Sequence, residues 1–292
     1  MIGIHFFLPL FLLAKGETPE NGSFRIELPE DCGTSRYSQF QSRIIQGNQA
    51  RLGEFPWMAR LGLVHKKLKR PMFFCGGSLI SRYYVISAAH CNGIPIHVVR
   101  LGENYVEKDK DCDEKGLCAP HPQDIIVRKL MEPNYCFSDM TNDFLLIELM
   151  HPVQFNDFVK PICLPSEDLS SDEMDEEHVT ISGWGLIKSY PRTEAKYLMY
   201  ITAPIVAKEK CGRLFGSNLL DSQLCIGYDK GKDSCGGDSG GPVMKMIEKN
   251  GQKRAHLLGL VSYGLENCGY GPAVYTFVPS FLEWAAPNMR KG

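Results

Sequence analysis

The chain has 292 residues, enough for one large domain plus a short extension. Its formal net charge of −2 gives no reason to expect nucleic acid or an anionic membrane as a partner. Eleven cysteines are many for a reducing compartment and fit an oxidising one.

The chain opens on a short apolar core, Phe6 to Ala14, followed by Lys15-Gly16, so small residues stand at the two positions a signal peptidase reads. The core is too short to span a bilayer and no later run is longer. Residues 1–16 are therefore expected to be a secretory signal, and the product extracellular. Residues 17–43 are polar, lack periodicity, and hold one glycosylation acceptor, Asn21-Gly22-Ser23, and one cysteine, Cys32. So short a stretch builds no core and reads as a tethered pro-segment. From Ile44 onward, short apolar runs alternate with turn residues: Cys75 to Ile80, Ile96 to Leu101, Asp143 to Leu149, Val179 to Gly185, Leu257 to Gly264 and Val274 to Val278. Such spacing predicts an all-β domain over residues 44–292. Ser280 to Met289, with apolar Phe281, Leu282 and Trp284, reads as a terminal helix. The basic run Lys66 to Arg70 is either a steering patch for an acidic partner or a solvated hairpin. Ser170 to Glu177 reads as an exposed acidic loop.

The chemistry concentrates in Lys232-Asp233-Ser234-Cys235-Gly236-Gly237-Asp238-Ser239-Gly240-Gly241-Pro242. Glycine at that density marks backbone that adopts positive φ or approaches a ligand closely. A hydroxyl among such glycines is a candidate nucleophile beside backbone N–H groups that would hold an oxyanion. It needs a base, and the base needs an orienter. His90, in Ala88-Ala89-His90-Cys91, and Asp143, in Asn142-Asp143-Phe144-Leu145, supply them. The chain order His90, Asp143, Ser239 is that of the chymotrypsin group. On these residues the chain resembles a trypsin-type serine protease of the chymotrypsin-like family, from about Ile44 to Trp284.

The resemblance implies two packed six-stranded antiparallel β-barrels with the triad between them and a short C-terminal helix. It implies an oxyanion hole from the N–H groups of Gly237 and Ser239. Arg43-Ile44-Ile45-Gln46-Gly47 is similar to the family's activation site: cutting after Arg43 frees the α-amino group of Ile44 to pair with Asp238. A free α-amino pKa is about 7.7–8.0. An acid partner raises it, so the active form is expected at neutral pH and lost as pH rises through the raised value. Asp233 would form the base of a pocket for Arg or Lys, with Ser234, Tyr263, Gly264 and Ala273 around it. Ala273 stands where glycine is usual, which leaves the balance between Arg and Lys open. Glu103, Asp111 and the carbonyls of Tyr105 and Lys108 would surround a structural Ca²⁺, the alternative being a solvated acidic turn. The family's pairings imply disulfides Cys75–Cys91, Cys211–Cys225, Cys235–Cys268, Cys32–Cys163 and Cys112–Cys118. The last closes an acidic hairpin similar to that of arthropod clip-domain immune proteases, although only Cys32 stands where those carry a six-cysteine module. Cys136 is left over, either bonded to another molecule or a buried thiol.

The expectation is a secreted zymogen, activated by an upstream protease, that cleaves after Arg or Lys. Its substrate would be a downstream zymogen or cytokine precursor of an arthropod immune or clotting cascade, and its inhibitor a serpin. The alternatives are a digestive or venom trypsin, and a catalytically silent homologue that only binds partners.

Overall fold

The computed structural model describes residues 29–37, 47–64, 70–165, 169–171, 174–188, 193–227, 237–249, 251–265 and 271–290. The signal segment, Asn21, Arg43, Ile44, Asp233, Ser234, the expected Cys235–Cys268 pair and Lys66 to Lys69 lie outside the described residues.

After a two-residue strand β1 (Asn48–Gln49), the chain forms β2 (Met58–Val64), β3 (Pro71–Leu79), β4 (Tyr84–Ser87), β5 (Val98–Leu101), β6 (Gln123–Met131) and β7 (Leu145–Leu149). These close an antiparallel barrel in the order β2-β3-β4-β7-β6-β5. Every residue of β4 and β7 is buried. Strands covered on both faces read as nearly continuous apolar runs, interrupted here by Ser87 and by the buried Glu148, which pairs with Arg290. β6 instead faces water on one side: Ile125 and Met131 are buried while Asp124 and Lys129 point out.

The second half contributes β8 (His178–Gly183), β9 (Leu186–Lys188), β10 (Thr193–Glu194), β11 (Met199–Val206), helix α1 (Lys208–Phe215), β12 (Gln223–Ile226), β13 (Pro242–Lys249), β14 (Gln252–Tyr263), β15 (Ala273–Phe277) and helix α2 (Leu282–Asn288). The order β11-β12-β15-β14-β13-β8, with β8 returning to β11, closes a second six-stranded barrel, and β1 pairs with the edge of β11. Two antiparallel barrels and a short C-terminal helix match the expected fold. Closure leaves neither barrel with a free edge strand.

One core joins the barrels. Trp57 is fully buried and points its Nε1–H at Met244 Sδ of the second barrel, 3.0 Å away. α2 returns to the first barrel, where Phe281 stacks on Phe144 at 5.0 Å and Trp284 meets the same ring edge-on at 6.0 Å. Phe144 follows Asp143, so this packing fixes the backbone that presents the acid.

The structure contains the expected bridges Cys32–Cys163, Cys75–Cys91, Cys112–Cys118 and Cys211–Cys225. Cys136 is unbridged and half-buried, with Sγ 3.2 Å from Ser138 Oγ, so it is not the fully buried thiol of the sequence reading. The segment 29–37 is held by more than the Cys32–Cys163 disulfide. Gly33 donates to the Pro161 carbonyl at 2.8 Å and accepts from the Ala255 N–H at 3.0 Å. Gly33 has φ +66°, and a Cβ there would collide with the Ala255 backbone, so this close approach requires glycine. Arg36 adds an ion pair to Asp157, and Arg51 stacks on the Tyr37 ring.

Candidate active site

His90 sits on a 3-10 turn, Ala89–Gly93, entered directly from β4. The neighbouring Cys91 ties this turn to β3 through Cys75. Asp143 precedes β7 at the end of a loop in which Asn142 takes φ +55°. Asn tolerates this left-handed conformation better than most residues. The Phe144 N–H folds back onto the Asn142 carbonyl at 2.7 Å.

The Asp143 carboxylate is 2% exposed and saturated with donors. Oδ1 accepts the His90 backbone N–H at 2.8 Å. Oδ2 lies 2.8 Å from His90 Nδ1 and accepts the Ser262 hydroxyl at 2.5 Å. Thr276 Oγ1 donates to the Asp143 carbonyl at 2.8 Å. Two contacts from the imidazole residue fix its orientation and leave Nε2 pointing away from the acid. Ser262 and Thr276 were not assigned roles from the sequence. Their signal was a hydroxyl inside an apolar strand, in β14 and β15.

Ser239 is placed by its backbone between the barrels. Its carbonyl accepts the Gly76 N–H of β3 at 2.8 Å, and the next residue, Gly240, donates to Val261 of β14 at 2.9 Å. Cys91 Sγ lies 3.7 Å from the Ser239 carbonyl and 3.9 Å from His90 Nε2. The three sequence-predicted residues therefore gather around the Cys75–Cys91 bridge. No hydrogen bond joins Ser239 to His90. Catalytic hydrogen bonds are often long until substrate binds, so this does not exclude the pair. Cys75, His90 and Cys91 also crowd together as metal ligands would, but the two cysteines are bonded to each other.

Gly237 and Gly240 both have positive φ, +98° and +73°, which the glycine-rich stretch was expected to need. Asp238 Oδ1 accepts the Gly185 N–H at 2.7 Å. Its carboxylate occupies space that a side chain at Gly183 or Gly185 would fill. The run Gly183-Trp184-Gly185, read from the sequence only as part of a strand, is thus the socket of Asp238.

Of the expected pocket, Tyr263, Gly264 and Ala273 are described. Tyr263 ends β14, is half-buried, and packs edge-on against Phe215 at 5.3 Å. Burial pushes its phenol pKa upward. Ala273 is buried at the start of β15.

Glu103 and Asp111 are both buried, 5% and 6% exposed. Asp111 Oδ2 accepts the N–H groups of Asn104 and Tyr105 at 2.9 and 3.0 Å, and Glu103 Oε2 lies 3.2 Å from Arg100. The other oxygens, Glu103 Oε1 and Asp111 Oδ1, are buried without a hydrogen-bond partner. Burial raises the Glu103 pKa; Arg100 opposes the rise and Asp111 adds to it. Two buried carboxylate oxygens lacking donors suit a hard cation. The Tyr105 carbonyl already accepts the Lys108 N–H at 3.2 Å, and a carbonyl has a second lone pair.

Comparison with known proteins places these observations. Residues 44–285 match the family model described as Trypsin. The chain is 38% identical over 274 residues to a CLIP domain-containing serine protease, HP8, of Bombyx mori, covering 87% of this chain and 71% of that protein. It is 36% identical to the Spaetzle-processing enzyme of Drosophila melanogaster, covering 86% and 67%. It is 35% identical to a venom protease of Bombus pensylvanicus, covering 85% and 100%. Its fold superposes on the crystal structure of the Drosophila Grass clip serine protease of the Toll pathway with a TM-score of 0.76 and 28% identity, covering 91% and 76%.

Proposed function

Because the chain belongs to the trypsin family, we propose that it is a secreted serine endopeptidase, made as a zymogen and cleaving after Arg or Lys. Ser239 attacks the carbonyl carbon. His90 takes the hydroxyl proton and returns it to the leaving amine. Asp143 holds the imidazole tautomer and stabilises the imidazolium. The N–H groups of Gly237 and Ser239 take the developing oxyanion. Asp233 selects the basic side chain, with Ser234, Tyr263, Gly264 and Ala273 around it. The observation that carries this reading is the saturated Asp143 carboxylate, which holds His90 by its backbone N–H and by Nδ1.

In this reading an upstream protease cuts after Arg43, the Ile44 ammonium pairs with Asp238, and Cys32–Cys163 keeps the pro-segment attached. A buried ion pair of this kind contributes little net stability and selects one arrangement of the loop. Glu103, Asp111 and the carbonyls of Tyr105 and Lys108 hold a structural Ca²⁺. Similarity to the Spaetzle-processing enzyme and to a phenoloxidase-activating factor of Holotrichia diomphalia, 36% identical over 284 residues, supports limited proteolysis of a protein substrate, which we take to be a zymogen or cytokine precursor. A serpin inhibitor belongs to the same proposal. A venom role is the second reading, favoured by the venom relative matched along its whole length.

The test is purified protein cut after Arg43 and assayed on Arg, Lys and Leu peptides beside Ser239→Ala. We expect cleavage after Arg and Lys only, and a loss of about 10⁶-fold in kcat for the variant. Equal rates for the two proteins would leave the silent binder as the answer.

A further inference from the structure

Among the described residues, no carboxylate hydrogen-bonds or ion-pairs directly with the guanidinium of Arg60, near the middle of β2. Its cross-strand neighbours are Gly76 in β3 and Arg100 in β5. The Phe73 ring lies over Gly62, where a Cβ would come within 2.8 Å of it. Two guanidinium groups lie over this ring, Arg60 at 4.7 Å and Arg100 at 4.8 Å from its centre. Arg60 is also 5.4 Å from the Trp184 ring.

The two arginines differ in what they bind. Arg100 forks onto both oxygens of Asp124 at 2.7 Å and reaches Glu103 at 3.2 Å. Arg60 touches the two rings: among the described residues no hydrogen bond or ion pair reaches its guanidinium, and Glu103, Glu194 and Asp124 act on it only at longer range. Burial brings its pKa down to about 10; Glu103, Glu194 and Asp124 oppose the fall and Arg100 adds to it. A guanidinium has a planar fork of donors that matches a carboxylate, and a largely desolvated cation without a partner is costly.

The Phe73 strand touches the candidate nucleophile, and the Trp184 segment touches the residue before it, Asp238. Phe73 lies three residues before Gly76, whose N–H holds the Ser239 carbonyl. Trp184 lies between the two glycines that seat Asp238. The opposite flank of Ser239 is β14, which leads to Tyr263 and Gly264 of the proposed basic pocket. On the peptidase reading, a basic side chain held beside β14 leaves the rest of the peptide to cross Ser239 toward β3, where Gly76 is the cross-strand neighbour of Arg60.

We propose that Arg60, framed by Phe73 and Trp184, binds an Asp or Glu carboxylate of the protein substrate, within the first few residues after the cut bond. This rests on the peptidase reading and narrows its substrate class.

The test uses the activated full chain and matched peptides with one Arg before the cut. Asp, Asn or Lys is placed in turn at each of the first four positions after it. We expect one position at which Asp exceeds Asn roughly fivefold in kcat/KM, through KM, and Lys falls below both. The preference should shrink in 1 M salt, where screening is strong. Arg60→Met, which keeps the aliphatic stem on the rings, should abolish it, and Arg60→Lys should restore part. Cleavage of all three peptides at equal rates at every position overturns the proposal and spares the peptidase reading. A preference that survives in Arg60→Met overturns it as well. No cleavage of any peptide removes the peptidase reading itself. Should Arg60→Met fail to fold, the Asp/Asn/Lys comparison on the unaltered protein decides.

Discussion

Two buried acid sites in the first half of the chain are finished to different degrees. Asp143 is enclosed by donors from its own chain, with His90 and Ser262 on its oxygens. Glu103 and Asp111 are about as deeply buried, yet each keeps one oxygen without a donor. A carboxylate completed from within acts as a fixed part and holds its neighbour still. One left incomplete carries a desolvation cost that an outside cation can offset. The first should therefore respond to changes in its partners, and the second to changes in the solution.

The largest expected effect breaks the finished site. Asp143→Asn keeps the shape but places an amide where the charge and one acceptor stood. His90 then loses the anion that stabilises its protonated form and fixes its tautomer. We expect kcat on an Arg peptide to fall about 10⁴-fold with KM little changed. A loss below tenfold would show that His90 is held by its turn and the Cys75–Cys91 bridge, and that Asp143 is incidental.

The finished site was legible in the sequence because its residues stand beside strong local signals. His90 follows Tyr84-Val85-Ile86-Ser87, Asp143 precedes Leu145-Leu146-Ile147, and Ser239 lies among glycines that two positive φ values require. What surrounds it was less legible. β6 reads Gln-Asp-Ile-Ile-Val-Arg-Lys-Leu-Met, too polar to stand out, because one of its faces is wet. β11 contains Pro204, which speaks against a strand inside a sheet. Helix α1 is eight residues long and buries only Cys211, so its apolar stripe of Cys211, Leu214 and Phe215 is too short to stand out; a clearer mark is Gly216 at the C-cap, φ +72°. Ser262 and Thr276 meet Asp143 from 119 and 133 residues away, and no local pattern encodes so distant a contact.

The next effect sharpens the other side of the comparison. Burial raises the Glu103 pKa above its free value. The folded protein thus binds that proton more tightly than the unfolded chain. Its stabilising contribution is complete below the unfolded pKa and is lost as pH rises through the raised folded value. Each acid keeps one buried oxygen without a donor, and a bound Ca²⁺ would offset that cost. We expect calcium at 100 times its dissociation constant to add about 2.7 kcal/mol, read as a rise in Tm at pH 7. The rise should vanish near pH 4 and in Glu103→Gln. An unchanged Tm on adding calcium or chelator at pH 7 would make the pair a solvated turn, as the mixed charges of Glu107 to Asp111 first allowed.

The smallest effect asks how much redundancy the finished site contains. Ser262→Ala removes one donor from Asp143 Oδ2 and leaves both His90 contacts and the Thr276 bond to the main chain. A hydrogen bond to a charged group contributes about 1.5–3 kcal/mol net. Much of this should appear as a lower Tm, because the buried oxygen loses a donor that water cannot replace. The remaining bonds still aim the carboxylate, so kcat should fall only about tenfold. Proteins carrying Asp143→Asn and Ser262→Ala singly and together separate the two roles. If Ser262 acts only through the aspartate, the double variant should be no slower than Asp143→Asn alone. A further tenfold loss in the double variant would mean that the Ser262 hydroxyl contacts something besides the acid. It would then have to be counted among the groups that meet the substrate.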